Sequence, residues 1–320
     1  MNRPRWITPA CACALLLSSC STNSSEAEGA QQDEDAPELS VVTSIDVYAD
    51  LVTAIGENTL DVEPLVTSTG TDPHSYEATP QDRLKVQGAD VIVANGAGYD
   101  SFITLLASAA EKDEAVYQLA EDVDDHDHAD DDEHDDDHDH DHDYEAEYQN
   151  EHLWYDLGRM EEFVLDFGDH LAELAPQNSE LYTANAQELA EELAALDERN
   201  RGLDGAGRSY LATEGVSGYL LDDAGLENVT ESEFLSAVEH GDDVSPRLYS
   251  RALDQTRNID LLSYNGQTET QQSARVRSAA EDAGATVLEF TETIPEGSSG
   301  YLEWMEANVD ALETALAELR

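Results

Sequence analysis

Cysteine is scarce and confined: the three in the chain, Cys11, Cys13 and Cys20, all precede residue 21. Beyond Cys20 neither a disulfide nor a thiolate ligand is available, even in a compartment that would permit disulfides. Basic residues are scarce as well. Lysine occurs only at Lys85 and Lys112, and 15 Lys plus Arg face 72 Asp plus Glu, for a formal net charge of −57. That balance excludes nucleic acid as a partner, because such binding is driven by neutralising phosphates with Lys and Arg. Cations are the partners an acidic surface attracts. Salt-adapted proteins are also acidic and Lys-poor, so acidity alone does not define a function. A long hydrophobic run is missing too. The apolar core of "ITPACACALLLSSC" is too short to span a bilayer stably. No "HExxH" and no paired nucleophile motif occurs, which removes the usual sequence support for a metallohydrolase.

What is present begins with a processing segment. Arg3 and Arg5 precede the short apolar core, and "LSSC", Leu17 to Cys20, resembles the bacterial lipoprotein signal, in which the cysteine becomes the lipid-bearing N-terminus. The resemblance implies a signal peptide over 1–20, Cys20 as the lipid attachment site, and an extracytoplasmic protein anchored to the cell membrane. The polar, Ser-rich and acidic run over 21–38 reads as a disordered tether.

From Leu39 the pattern becomes that of a folded chain, with 320 residues in all and 40% apolar content, enough for two domains with real cores. "LSVVTSI", "DVEPLV" and "ADVIVANG" read as buried strands, with "DVYADLVTAIG" and "TPQDRLKVQG" as helices between them. The alternation returns after about residue 207, where "SYLATEG", "IDLLSYNG" and "ATVLEFTET" are strands and "GYLLDDAG", "QQSARVRSAAEDAG" and "YLEWMEANVDALETALAEL" are helices. Alternating strands and helices predict parallel sheets covered on both faces. Between the halves, an Ala-, Leu- and Glu-rich stretch is apolar at every third and fourth position. Pro176 breaks it into two helices, the second of which, Gln177 to Asn200, runs roughly 35 Å at 1.5 Å per residue. The expected fold is α/β: two lobes with parallel sheets joined by a long rigid helix, and a ligand site in the cleft between lobes. The expected boundaries are an N-terminal lobe over 39–155, linker helices over 156–206 and a C-terminal lobe over 207–320. The bland alternative for the long stretch is a helical hairpin belonging to one lobe.

The first half is interrupted by a His- and Asp-rich loop, 121–143. Its part "HDHADDDEHDDDHDHDHD" carries His126, His128, His134, His138, His140 and His142, six of the chain's ten histidines. It lacks apolar periodicity, and mutual repulsion of its acids predicts disorder without metal. Imidazoles and carboxylates without fixed geometry offer many weak, interchangeable metal sites at a large ordering cost. Such a tract collects metal ions and steers them inward, but it is not a selective site.

Two histidines lie in structured context. His74 sits in "TDPHSYEATPQD", between a strand and a helix, and His152 in "YQNEHLWYDL", just before the first linker helix. A lone histidine in such a place is commonly a hydrogen-bonded structural residue. In the second half Glu214 lies at the end of the apolar run in "SYLATEG" and Glu292 at the end of "ATVLEFTET". An acid at the mouth of a strand is commonly a helix cap. Yet ligands of open α/β sheets gather at the carboxyl ends of strands. Two histidines facing two acids across a cleft form an N2O2 set that suits zinc or manganese.

With these motifs the chain resembles the metal-binding lipoproteins, or solute-binding proteins, of bacterial zinc- and manganese-uptake ABC transporters. "DPHSYEATPQD" and "NEHLWYDL" resemble their first two ligand motifs, "NGAGYDSF" a further family segment, and "ATEGVSGYLLDDAGL" and "FTETIPEG" the segments holding the third and fourth ligands. The order is preserved from about residue 40 to the C-terminus. The resemblance implies that His74, His152, Glu214 and Glu292 bind the metal. At the third position zinc members usually carry His and manganese members Glu. At the fourth, manganese members commonly carry Asp. The second motif departs from the usual form by having Glu151 where Pro is common. A His-rich acidic loop is a habit of zinc members, so pocket and loop lean in opposite directions, and imidazole favours zinc.

The expectation is therefore a monomeric, lipid-anchored receptor, not an enzyme, which binds a divalent ion, Zn2+ with Mn2+ as the alternative, and delivers it to an ABC-transporter permease. A metallohydrolase is the competing class, set back because four protein ligands close the coordination sphere around zinc. A surface metal buffer or adhesin working through the His-rich tract is the third. Histidine ligation predicts affinity that falls as pH drops through the ordinary histidine range near ~6.5.

Overall fold

The computed structural model describes residues 39–67, 70–71, 73–120 and 149–319. The signal peptide, the tether, Cys20, loop 121–143 and the histidines at 126, 128, 134, 138, 140 and 142 lie outside the described residues.

Two four-stranded parallel sheets organise the described chain. The first holds β1 (Leu39–Ile45), β2 (Leu60–Val66), β3 (Val91–Gly96) and β4 (Val116–Ala120) in the order β2-β1-β3-β4. Its helices are α1 (Asp46–Gly56), α2 (Pro80–Gly88) and α3 (Ser101–Ala109). β1 and β3 are central and almost wholly buried, as their β-branched runs require when helices cover both faces. Pro64 is tolerated because β2 is an edge strand, where a missing N–H costs little. α2 starts where a capping box forms: the Thr79 hydroxyl accepts from the Asp82 amide, Asp82 accepts from the Thr79 amide, and Pro80 occupies the first turn.

The linker is a pair of helices, α4 (Leu157–Leu174) and α5 (Ser179–Arg201), separated by a short 3-10 turn over Pro176–Asn178. α5 is 23 residues long, about 35 Å. α4 opens at Asp156, whose side chain caps it by accepting from the Arg159 amide, and the pair lies within the expected stretch 156–206.

The second sheet holds β5 (Ser209–Ala212), β6 (Glu227–Asn228), β7 (Leu261–Asn265) and β8 (Thr286–Phe290) in the order β6-β5-β7-β8. Its helices are α6 (Gly218–Asp223), α7 (Ser232–Glu239), α8 (Pro246–Gln255), α9 (Gln271–Ala283) and α10 (Tyr301–Glu318). β5 and β8 end at Ala212 and Phe290, so Glu214 and Glu292 stand two residues past the strands, not within them. Both chains leave the ladder there to turn into the cleft.

α5 touches both lobes. Asn185 donates to the Ile55 carbonyl of α1, while Arg199 pairs with Asp310 and Glu313 of α10, and Arg201 with Asp223 of α6. One buried apolar cluster runs from Val41 and Tyr48 through Phe163, Phe167 and Leu193 to Tyr210, Trp304 and Val309, so the lobes share a core with the linker. Among the described residues no helix is long and apolar enough to cross a membrane.

Candidate metal centre

The carboxyl ends of the two sheets face one another. His74 comes from the segment between β2 and α2, and His152 from the residues just before α4. Glu214 follows β5 and Glu292 follows β8. Each of the four offers one ligand atom lying within 4.8 Å of the other three. The Nε2 of His74 is 3.3 Å from Glu292 Oε2 and 3.7 Å from Glu214 Oε1. Four donors held about 2.0–2.1 Å from one ion at tetrahedral angles stand about 3.3 Å apart, so the His74 Nε2 to Glu292 distance already fits such an ion and donors that stand farther apart, up to 4.8 Å, would close in on it. His152, Glu214 and Glu292 are buried, and His74 retains 13% side-chain exposure.

Neighbours that the sequence reading did not single out hold these groups. Asn265, the last residue of β7, donates from Nδ2 to Glu214 Oε2 at 2.6 Å and to Glu292 Oε1 at 2.8 Å, tying the two carboxylates together. Thr268 donates to Glu214, and Tyr99 to Glu292 Oε2 at 3.1 Å. Gln267 accepts from the Glu292 amide and donates to the Thr71 carbonyl across the cleft. Tyr99 and Trp154 wall the site with rings: Tyr99 is 4.9 Å from His74 between centroids, and Trp154 is 5.4 Å from His152. A signal for Asn265 was visible. An Asn-Gly pair stands at the end of a central strand in each sheet, Asn95-Gly96 closing β3 and Asn265-Gly266 following on from β7, and Asn95 in the first lobe donates to the Glu151 carbonyl at 2.9 Å. At the first of these pairs Gly96 has φ 75°, and a Cβ there would fall 1.9 Å from the Ala120 carbonyl, so only glycine fits.

Burial and mutual charge set the protonation of the four. Burial raises Glu214 to about 7, with the nearby Glu292 adding to the effect. Burial works in the same direction on Glu292, but contact with His74 outweighs it and holds Glu292 below its usual value. For His74, burial favours the neutral ring, yet Glu151 and Glu292 prevail and hold its pKa well above the ordinary range. His152 is pushed down to about 4 by burial. Among the described residues its Nε2 is buried without a hydrogen-bond partner. A buried lone pair aimed at two carboxylates and a second imidazole is a donor awaiting a cation. A proton on His74 partly neutralises the two acids when no ion does.

A two-lobed α/β protein with a rigid helical linker and a largely buried His2Glu2 cluster between lobes has the build of a small-ligand binding protein. The family can be given as well. Residues 41–315 match the model of the family "Zinc-uptake complex component A periplasmic", and the chain belongs to that family. It is 25% identical over 314 residues to the manganese-binding lipoprotein MntA of Halalkalibacterium halodurans, covering 95% of this chain and 96% of that one. To the high-affinity zinc uptake system protein ZnuA of Bacillus subtilis it is 26% identical over 313 residues, with 95% of each chain covered. Among solved structures, the SBP FpvC of Pseudomonas aeruginosa in complex with Mn2+ has the same fold, with a TM-score of 0.67 at 22% identity, covering 88% of this chain and 98% of that one. The laminin-binding protein Lmb of Streptococcus agalactiae shares it at a TM-score of 0.65 and 19% identity, over 87% and 99% of the two chains. The chain is thus a metal-binding substrate-binding protein of ABC metal uptake.

Proposed function

We propose that the protein is a lipid-anchored extracytoplasmic receptor that captures one divalent ion through His74, His152, Glu214 and Glu292 and hands it to an ABC-transporter permease, with zinc as the preferred cargo. The convergence of two imidazole nitrogens and two carboxylates within 4.8 Å carries this reading. Two carboxylates neutralise a dication, and two imidazoles match zinc's preference for nitrogen. Manganese is the second reading. Glu at position 214, in place of the imidazole usual for zinc members, makes the set more oxygen-rich, and several relatives are named for manganese. Binding without catalysis follows from the ligand count, because four protein donors leave a tetrahedral zinc no open place for an activated water. Cys20 as lipid attachment site and a monomeric state complete the proposal.

A competition titration of zinc against manganese on the demetallated protein tests the cargo. Zinc is expected to bind at least as tightly as manganese at one tight site, and tighter manganese binding would reverse the assignment. The His-rich loop is assigned the role of collector. Deleting residues 126–143 is expected to remove several weak zinc equivalents seen by calorimetry and leave the tight one unchanged. Loss of the tight equivalent would move the site to the loop.

A further inference from the structure

Two consecutive residues contact the two candidate histidines on the side away from the carboxylates. Asn150 Oδ1 lies 2.9 Å from His152 Nδ1, and Glu151 Oε1 lies 3.2 Å from His74 Nδ1. The orientation of the Asn150 amide is not arbitrary. Its Nδ2 donates to the Gly215 carbonyl at 2.9 Å, and its Oδ1 accepts the His152 backbone amide at 3.1 Å. A carbonyl demands a donor and an N–H demands an acceptor, so the amide has one satisfactory orientation and His152 Nδ1 must donate. His152 Nε2 then carries the lone pair, in the place where it is buried and unpartnered. Glu151 acts similarly from the other side. Its carboxylate accepts from His74 Nδ1, which turns His74 Nε2 toward Glu214 and Glu292.

Resting on the metal-receptor reading of this site, we infer that Asn150 and Glu151 are positioning residues that fix both rings with Nδ1 protonated and Nε2 presented to the ion. The pair is built for this. Asn95 Nδ2 holds the Glu151 carbonyl, and Tyr219 donates to the Asn150 carbonyl at 2.7 Å, so the backbone is pinned from one lobe and then the other. Asn150 also joins the segment that carries His152 to Gly215, the neighbour of Glu214, so one amide sets the ring and its distance from the opposing carboxylate. The two supports differ in charge. The hydrogen-bond partner of His152 Nδ1 is a neutral amide, with the Glu239 carboxylate farther off at 3.9 Å, whereas a carboxylate at 3.2 Å from Nδ1 makes the His74 Nε2 a stronger electron donor. Glu151, which stands where the resembling lipoproteins commonly have Pro, thus gives this chain a carboxylate–histidine–metal relay.

The test uses the full-length protein labelled with 15N-histidine, together with Glu151→Gln, Glu151→Ala, Asn150→Ala and His74→Ala, and zinc as the probe. Zinc affinity is read by chelator competition and ring tautomers by 15N chemical shifts of the zinc-loaded protein. Glu151→Ala and Asn150→Ala are expected to weaken zinc by roughly 10- to 100-fold, the range for outer partners of metal-bound histidines. Glu151→Gln, which keeps an acceptor but loses the charge, is expected to fall between wild type and Glu151→Ala. In the wild type both site rings give shifts of an Nδ1-protonated, Nε2-metallated imidazole. Zinc affinity in Glu151→Ala and Asn150→Ala within twofold of wild type, or an Nδ1-metallated ring in the wild type, overturns the inference while leaving the receptor reading intact. Retention of the tight equivalent in His74→Ala overturns both.

Discussion

His74 sits under opposing influences, and its balance decides how the site responds to acid. The ordinary histidine range gives a window near ~6.5 for loss of binding. The actual surroundings move it. To bind a cation, His74 must be neutral and Glu214 ionised. Glu151 and Glu292 hold His74 well above its usual value, and burial holds Glu214 at about 7. When the metal is absent His74 is therefore protonated at neutrality and Glu214 takes up its proton as pH falls through about 7, and zinc must displace those protons. His152, pushed down to about 4, is already neutral throughout this range and adds nothing to the dependence. Affinity is expected to fall from above pH 7 downward, steepening to about a hundredfold per pH unit where two protons are displaced together. Chelator competition between about pH 8 and about pH 5.5 measures this, and a flat profile until ~6.5 would contradict it. Calorimetry in buffers of different ionisation enthalpy is expected to register proton release at pH 7.

At the scale of the elements, the α4–α5 pair is the frame on which the site is hung. The helices pack tightly at Gly168, where an added Cβ would lie 2.6 Å from the Ala186 Cβ. Gly168→Leu is expected to push the helices apart and cost about 1–3 kcal/mol, the usual range for overpacking, read as a lower Tm for the metal-free protein. An unchanged Tm would mean that the crossing yields without strain. The elements that sequence pattern does not reveal have physical reasons for their silence. α8 carries local signals, Ser245 capping through the Leu248 amide ahead of Pro246 and a short stripe of Leu248, Tyr249, Ala252 and Leu253, but it is only ten residues long and fully buries only Ala252. β4 is half-buried along its whole length at a sheet edge, and β6 is two residues long. α3 and α7 are short and neither has a side-chain cap; Asp100 stands at the N-cap of α3, but its carboxylate accepts from the Asn95 and Gly96 amides instead.

For the whole molecule, the question is how far the lobes can part. They belong to one compact unit and share a single apolar cluster with the linker. Hydrogen bonds cross the cleft without any ion: Gln267 to Thr71, Tyr99 to Glu292, Asn150 to Gly215, Tyr155 to the Thr291 carbonyl and Tyr301 to the Trp154 carbonyl. A hinge would have to break these and expose the common core. Metal release is therefore expected to proceed by local opening around His74, the most exposed of the four, and not by wide lobe separation. Small-angle scattering of zinc-loaded and demetallated protein is expected to give the same radius of gyration, whereas a clear expansion on metal removal would indicate a hinge.

The sequence by itself determined the layered α/β plan, because strand and helix periodicity and the Pro176 break are local signals read over a few residues. It also pointed to His74, His152, Glu214 and Glu292, since motif order along the chain is one-dimensional information. Only the tertiary structure brought their donor atoms within 4.8 Å, because they come from segments up to 218 positions apart (292 − 74) and meet through the facing of two sheets. Tyr99, Asn150, Asn265 and Glu239 gain their places the same way; Glu239, for instance, reaches the Gly215 amide at 3.1 Å only because α7 folds back on β5. The direction in which each ionisable group moves was equally out of reach of the sequence. Burial pushes His152 down and Glu214 up, while Glu151 holds His74 up against burial, and desolvation and Coulomb attraction depend on neighbours that the chain alone does not specify.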